Sequence, residues 1–160
     1  MWWSRRSLLL VLGAAAGCGF SPVYGPGGTD LSGQVYVPDP GTQAAFVLAT
    51  RLRDRLGDAG PVAPYRVETR LTVDQQSLGA TSAGETTRYR LAGRVAYTLT
   101  QTATDTVLLE DETYAFTGYS ATGSTVATLA AERDARRRLS VILADQLADL
   151  LVLALAEPGT

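Results

Sequence analysis

The stretch from Tyr65 to Asp74 constrains the fold most. Tyr65, Val67, Thr69, Leu71 and Val73 alternate with Arg66, Glu68, Arg70, Thr72 and Asp74, which is the two-residue period of a strand buried on one face only. The pattern returns further on, with Tyr89, Leu91, Val95, Tyr97 and Leu99 on one face and Arg88, Arg90, Arg94, Thr98 and Thr100 on the other. A one-sided sheet needs a second layer over its apolar face and leaves the other face to water or a partner.

Two helices are available for that layer. Between Thr42 and Leu56 the apolar residues Ala45, Leu48, Ala49, Leu52 and Leu56 recur at spacings of three and four, with Arg51, Arg53, Asp54 and Arg55 between them. Asp39-Pro40 has the chemistry of an N-cap followed by a first-turn proline, and Gly57 and Gly60 end the run. The second helix spans Ser124 to Ala156, with a stripe of Ala127, Ala131, Ala135, Leu139, Leu143, Leu147, Leu150 and Ala154. Its alanines predict close approach to the sheet over residues 127–135. Arg133, Arg136, Arg137 and Arg138 lie largely off the stripe, and the last turns, apolar nearly all round with Leu151, Val152, Leu153 and Leu155, call for a second apolar neighbour.

Gln34–Val37 reads as a short strand before the first helix, Gly79–Thr87 as a polar loop, and Ala103-Thr104-Asp105 as a hairpin turn. A third long strand follows from about Thr106 to Gly118. Its parity slips, with Val107 and Leu109 in one register and Tyr114 and Phe116 in the other, so a bulge is expected near Glu110-Asp111-Glu112. The expected fold class is α+β: a two-layer sandwich with two amphipathic helices on one face of a four-stranded mixed, mainly antiparallel sheet, in the order β-α-β-β-β-α.

The amino terminus determines where such a domain works. Arg5 and Arg6 precede the apolar run Leu8–Ala16, which is far short of the roughly 20 residues that cross a bilayer and has the layout of an export signal. Ala15-Ala16-Gly17-Cys18 resembles a bacterial lipobox, in which the cysteine becomes an acylated amino terminus. The resemblance implies a diacylglycerol on the Cys18 sulfur and a further chain on its amine, an anchor stable where a single chain is marginal. Ser4-Arg5-Arg6-Ser7-Leu8-Leu9 also resembles a twin-arginine signal, so the export route stays open. The expected division is 1–17 as a removed signal, 18–32 as a tether rich in Gly and Pro, 33–156 as one domain and 157–160 as a tail. Phe20, Val23 and Tyr24 in the tether are suited to docking on the fold or to the bilayer interface.

Composition narrows the chemistry. The chain has no histidine, and its single cysteine is Cys18, so disulfides, the usual zinc sets and Ser–His or Cys–His catalysis have no residues to use. No carboxylate pair sits in an apolar setting, so neither a catalytic residue nor a metal ligand is assigned, and no cofactor is expected beyond the covalent lipid. After signal removal twelve arginines face sixteen carboxylates, with no lysine at all, a balance that gives no general drive toward nucleic acid.

With the elements placed, Cys18-Gly19-Phe20-Ser21-Pro22-Val23-Tyr24-Gly25 and Ala127-Thr128-Leu129-Ala130-Ala131-Glu132-Arg133-Asp134-Ala135-Arg136-Arg137-Arg138-Leu139 resemble the two signature stretches of the LptE family of lipopolysaccharide-assembly lipoproteins, in its alphaproteobacterial form. The resemblance implies a lipid-anchored protein on the periplasmic face of the outer membrane, held in the inner leaflet by its acyl chains. It further implies that the protein plugs an LptD-type β-barrel and assists lipopolysaccharide insertion. A lipid-binding carrier and a pilot or scaffold for another outer-membrane complex are the competing readings. For the barrel or for lipopolysaccharide phosphates, the candidate surface is the open sheet face bearing Arg66, Arg70, Arg88, Arg90 and Arg94, against the carboxylates Glu68 and Asp74.

Overall fold

The structure is a computed structural model that describes residues 32–80 and 86–156. Cys18, the signal, the tether up to residue 31 and the 157–160 tail lie outside them. The described residues form one compact unit with the element order β1 (Val35–Tyr36), α1 (Gln43–Leu56), β2 (Tyr65–Ala80), β3 (Thr86–Gln101), β4 (Thr106–Ser120) and α2 (Thr125–Ala156). The sheet order is β1-β2-β3-β4. β1 runs parallel to β2 after the α1 crossover, and the three long strands form an antiparallel meander. This is the expected α+β sandwich.

One-sidedness positions both helices. Val67, Leu91, Val95, Tyr97 and Leu99 are buried on the inner face, against Leu48, Leu52 and Leu56 of α1 and Leu139, Leu143, Leu147 and Leu151 of α2. On α2 the buried rows are 135-139-143-147-151 and 140-144-148-152, a two-row stripe at four-residue spacing. Leu150 and Ala154, expected on the stripe, face solvent instead, because a strict four-residue row drifts around a 3.6-residue helix.

The expected alanine seam is also displaced. Ala127 and Ala130 are exposed, as are Val126 (77%) and Leu129, so the first turns of α2 overhang the core. The tightest approach lies at Gly93 of β3, where a Cβ would meet Leu143 Cδ1 at 2.8 Å and Leu139 Cδ2 at 3.0 Å. Gly93 is what lets the sheet and α2 touch.

α1 begins three residues later than Asp39-Pro40 suggests. Thr42 is its N-cap, with Oγ1 accepting from the Ala45 N–H at 3.3 Å. Asp39 is occupied elsewhere: it accepts from Arg53 Nη2 at 2.6 Å, and the same guanidinium donates to the Val37 carbonyl. The second apolar neighbour that the end of α2 requires is α1. The two helices are also clamped by Asp145, which accepts from Arg51 Nε at 2.8 Å and Arg55 Nη1 at 3.0 Å, while Asp149 accepts from Arg55 Nη2 at 2.6 Å. The hydrogen bond from Arg51 holds the Asp145 carboxyl below the usual carboxylate range against the opposing effect of burial, and Arg55 adds to it.

Candidate functional site

Cross-strand register fixes what the open face displays. Leu99 pairs with Leu109, Tyr97 with Asp111, Val95 with Thr113, Gly93 with Ala115 and Leu91 with Thr117, without interruption. The β3–β4 irregularity lies between Leu99 and Thr100, which pairs with Val107, so the bulge falls at Leu108 and not at Glu110–Glu112. Val107 and Leu109, expected on one face, are split by it. The inner face of β4 therefore carries Asp111, Thr113 and Thr117 in alternation with Leu109, Ala115 and Tyr119, and Thr113 bonds Gln146 of α2 at 3.3 Å. Tyr114 and Phe116 point outward, 57% and 69% exposed.

The open face then reads as cross-strand rows: Glu68, Thr98, Glu110; Arg70, Ala96, Glu112; Thr72, Arg94, Tyr114; Asp74, Ala92, Phe116; and Gln76, Arg90, Gly118. All five arginines singled out in the sequence lie on it, but they do not form one patch. Arg66 is 3.5 Å from Glu68 and 3.6 Å from Asp105, and Arg94 is 3.7 Å from Glu112. The outward register of Glu110 and Glu112, together with Asp105 in the hairpin turn, adds carboxylates that the strand pattern did not place there.

The face thus divides in two. Toward the 102–105 turn, Glu68, Arg70, Ala96, Thr98, Glu110 and Glu112 line a shallow depression of about 530 Å³ with more acid than base. Toward the other end stand Arg88, Arg90, Tyr114 and Phe116, with Asp74 as the carboxylate in the Phe116 row. The Arg90 guanidinium carbon lies over the Phe116 ring, 4.7 Å from its centre, a cation–π contact by a group whose planar donor fork suits an oxyanion. Among the described residues neither Arg88 nor Arg90 has an ion pair. Sequence reading missed the two aromatics, although they share parity with Glu110 and Glu112.

The free edge of β4 is blunted. The Asp111 carboxylate accepts from the Glu112 N–H at 2.8 Å, and Arg138 of α2 donates to the Gly118 carbonyl at 3.4 Å, so two of its backbone groups are already occupied. Among the described residues no cluster of His, Cys, Asp or Glu can hold a metal ion.

A family model described as LptE, lipopolysaccharide assembly, matches residues 33–151. No curated protein matches the chain. Solved structures do. A lipoprotein from Caulobacter crescentus superposes with TM-score 0.63 at 20% identity, covering 79% of this chain and 93% of that one. Lipoprotein B from Nitrosomonas europaea gives 0.60 at 16% identity, covering 84% and 90%, and the rare lipoprotein B of Shewanella oneidensis gives 0.56 at 12%, covering 75% and 92%. At these identities the likeness is one of fold.

Proposed function

Because the chain belongs to the LptE family of lipopolysaccharide-assembly proteins, we propose that it works as an outer-membrane lipoprotein, anchored through Cys18 and facing the periplasm, that plugs an LptD-type β-barrel and assists lipopolysaccharide insertion. The observation that carries this reading is the uncovered sheet face with Arg88 and Arg90 beside exposed Tyr114 and Phe116. An antiparallel sheet tolerates one solvated face, but large exposed aromatics beside guanidinium groups that have no ion pair among the described residues are the composition of an interface centre. Arginine forks suit the phosphates of lipopolysaccharide and the carboxylates of a barrel lumen alike.

Against the carrier reading stands the inner face, where Leu139 and Leu143 rest directly on Gly93 and occupy the space an acyl chain would need. A pilot or scaffold for a different complex would use the same open face and differs only in the partner. Replacing Arg88, Arg90 and Arg94 together with Gln tests the reading. The fold and anchoring should persist while association with the barrel or lipopolysaccharide weakens, most clearly at low ionic strength, where charge attraction is least screened. Unchanged affinity for both at low salt would move the interface to the helices or loops.

A further inference from the structure

We propose that the cleft between α1 and α2 is a phosphate-binding site, separate from the open sheet face. The cleft, of about 440 Å³, is lined on the α2 side by Arg133, Arg136, Arg137 and Ser140 and on the α1 side by Gln43, Ala44 and Val47.

The charge pattern of α2 makes the case. Side chains four apart on a helix are neighbours, and this segment contains three such pairs. Arg136 donates to Glu132 at 2.9 Å and to Gln75 at 3.3 Å, and Arg138 pairs with Asp134. Both local carboxylates are thereby taken. The third pair is Arg133 with Arg137, two like charges side by side on the cleft wall, and neither has an ion pair among the described residues. The opposite wall supplies no compensation: α1 has no acidic residue in its first turn, and its positive dipole end faces the same space. Two adjacent guanidinium forks, uncompensated in a chain of net charge −2, match the several oxygens of one phosphate group, which both can engage at once. The Ser140 hydroxyl already donates within the protein, to Ala44 and Arg136 carbonyls, and the aliphatic wall of Ala44 and Val47 suits a phosphate carried on an amphiphile.

The site does not depend on the open face, and the test separates the two. The mature full-length chain in mild detergent is titrated calorimetrically with short-chain phosphatidic acid, with lipid A and with inorganic phosphate. Wild type is compared with Arg133→Gln/Arg137→Gln, with Arg138→Gln and with Arg88→Gln/Arg90→Gln/Arg94→Gln, and each is checked by its melting temperature. The double variant should lose at least tenfold in affinity for one or more probes that the other two variants keep, and the probe that binds tightest to wild type identifies the source of the phosphate. Its melting temperature without ligand should equal or exceed that of wild type, since a repulsive pair has been removed. If no probe binds wild type, or if the double variant binds every probe as wild type does, the cleft is not a phosphate site. Loss confined to the sheet-face variant would also overturn it.

Discussion

Leu143→Ala and Gly93→Ala, alone and combined, probe the helix–sheet contact from both sides. Leu143 is fully buried, so its truncation removes apolar contacts and leaves a cavity in a packed layer, at a cost of about 2–5 kcal/mol. In the wild-type background Gly93→Ala drives a methyl to 2.8 Å from Leu143 Cδ1. Overpacking of that kind costs about 1–3 kcal/mol, against about 0.5–1 kcal/mol regained because alanine restricts the unfolded chain more than glycine does. With Leu143 truncated the 2.8 Å contact disappears and only Leu139, at 3.0 Å and 3.1 Å, must yield slightly. Gly93→Ala should then be neutral or stabilising, a coupling of about 1–3 kcal/mol between the positions. Urea melts of the four proteins, with Cys18 replaced by Ser and the signal removed, measure it. Additivity to within about 0.5 kcal/mol would mean that α2 does not rest on β3 at Gly93, and the packing account would fail.

Cys18→Ser should leave the precursor uncleaved at this site and unacylated; mass spectrometry and membrane fractionation check it, and a normal mature mass with normal membrane association would refute lipidation there. The folded-state pKa of Asp145 is depressed, chiefly by Arg51, so its contribution to stability is present above the unfolded value near 3.8 and is lost as pH falls through the lower folded value. Urea midpoints should fall across that acid window, and Asp145→Asn should flatten this part of the profile; an identical profile in the variant would rule the clamp out. Arg137→Ala, at an exposed position on the cleft wall and outside the buried stripe of α2, should change stability by less than about 0.5 kcal/mol, and a larger loss in the same melts would place it in the packing.

The sequence makes legible whatever burial imposes on one face. β2 and β3 read correctly because residues such as Val67, Leu91 and Val95 are buried and the outward residues beside them, Arg66, Glu68, Arg90 and Arg94, are not. β4 misreads because its inner face is mixed: Asp111, Thr113 and Thr117 alternate with Leu109, Ala115 and Tyr119, which pack on the core, while Tyr114 and Phe116 turn outward, so hydrophobicity does not mark the inner face there as it does on β2 and β3. The misplaced bulge followed from assuming that the aromatics belong inside. Asp39 looked like a cap because its local chemistry is right, yet Arg53, fourteen residues on, takes it for an ion pair. Parity identifies the arginine face, but its division into an acidic and a basic half depends on the β3–β4 register, which local pattern does not encode.

A protein of this family with such an open face is proposed to partner an outer-membrane barrel. The most direct measurement of that partnership is a pull-down of the tagged full-length protein from membranes in mild detergent, with the bound proteins identified by mass spectrometry. The account predicts an LptD-type β-barrel in near-equal amount, retained on washing and depleted by Arg88→Gln/Arg90→Gln/Arg94→Gln. Recovery of the protein without any barrel, or with the components of a different envelope complex, would contradict it.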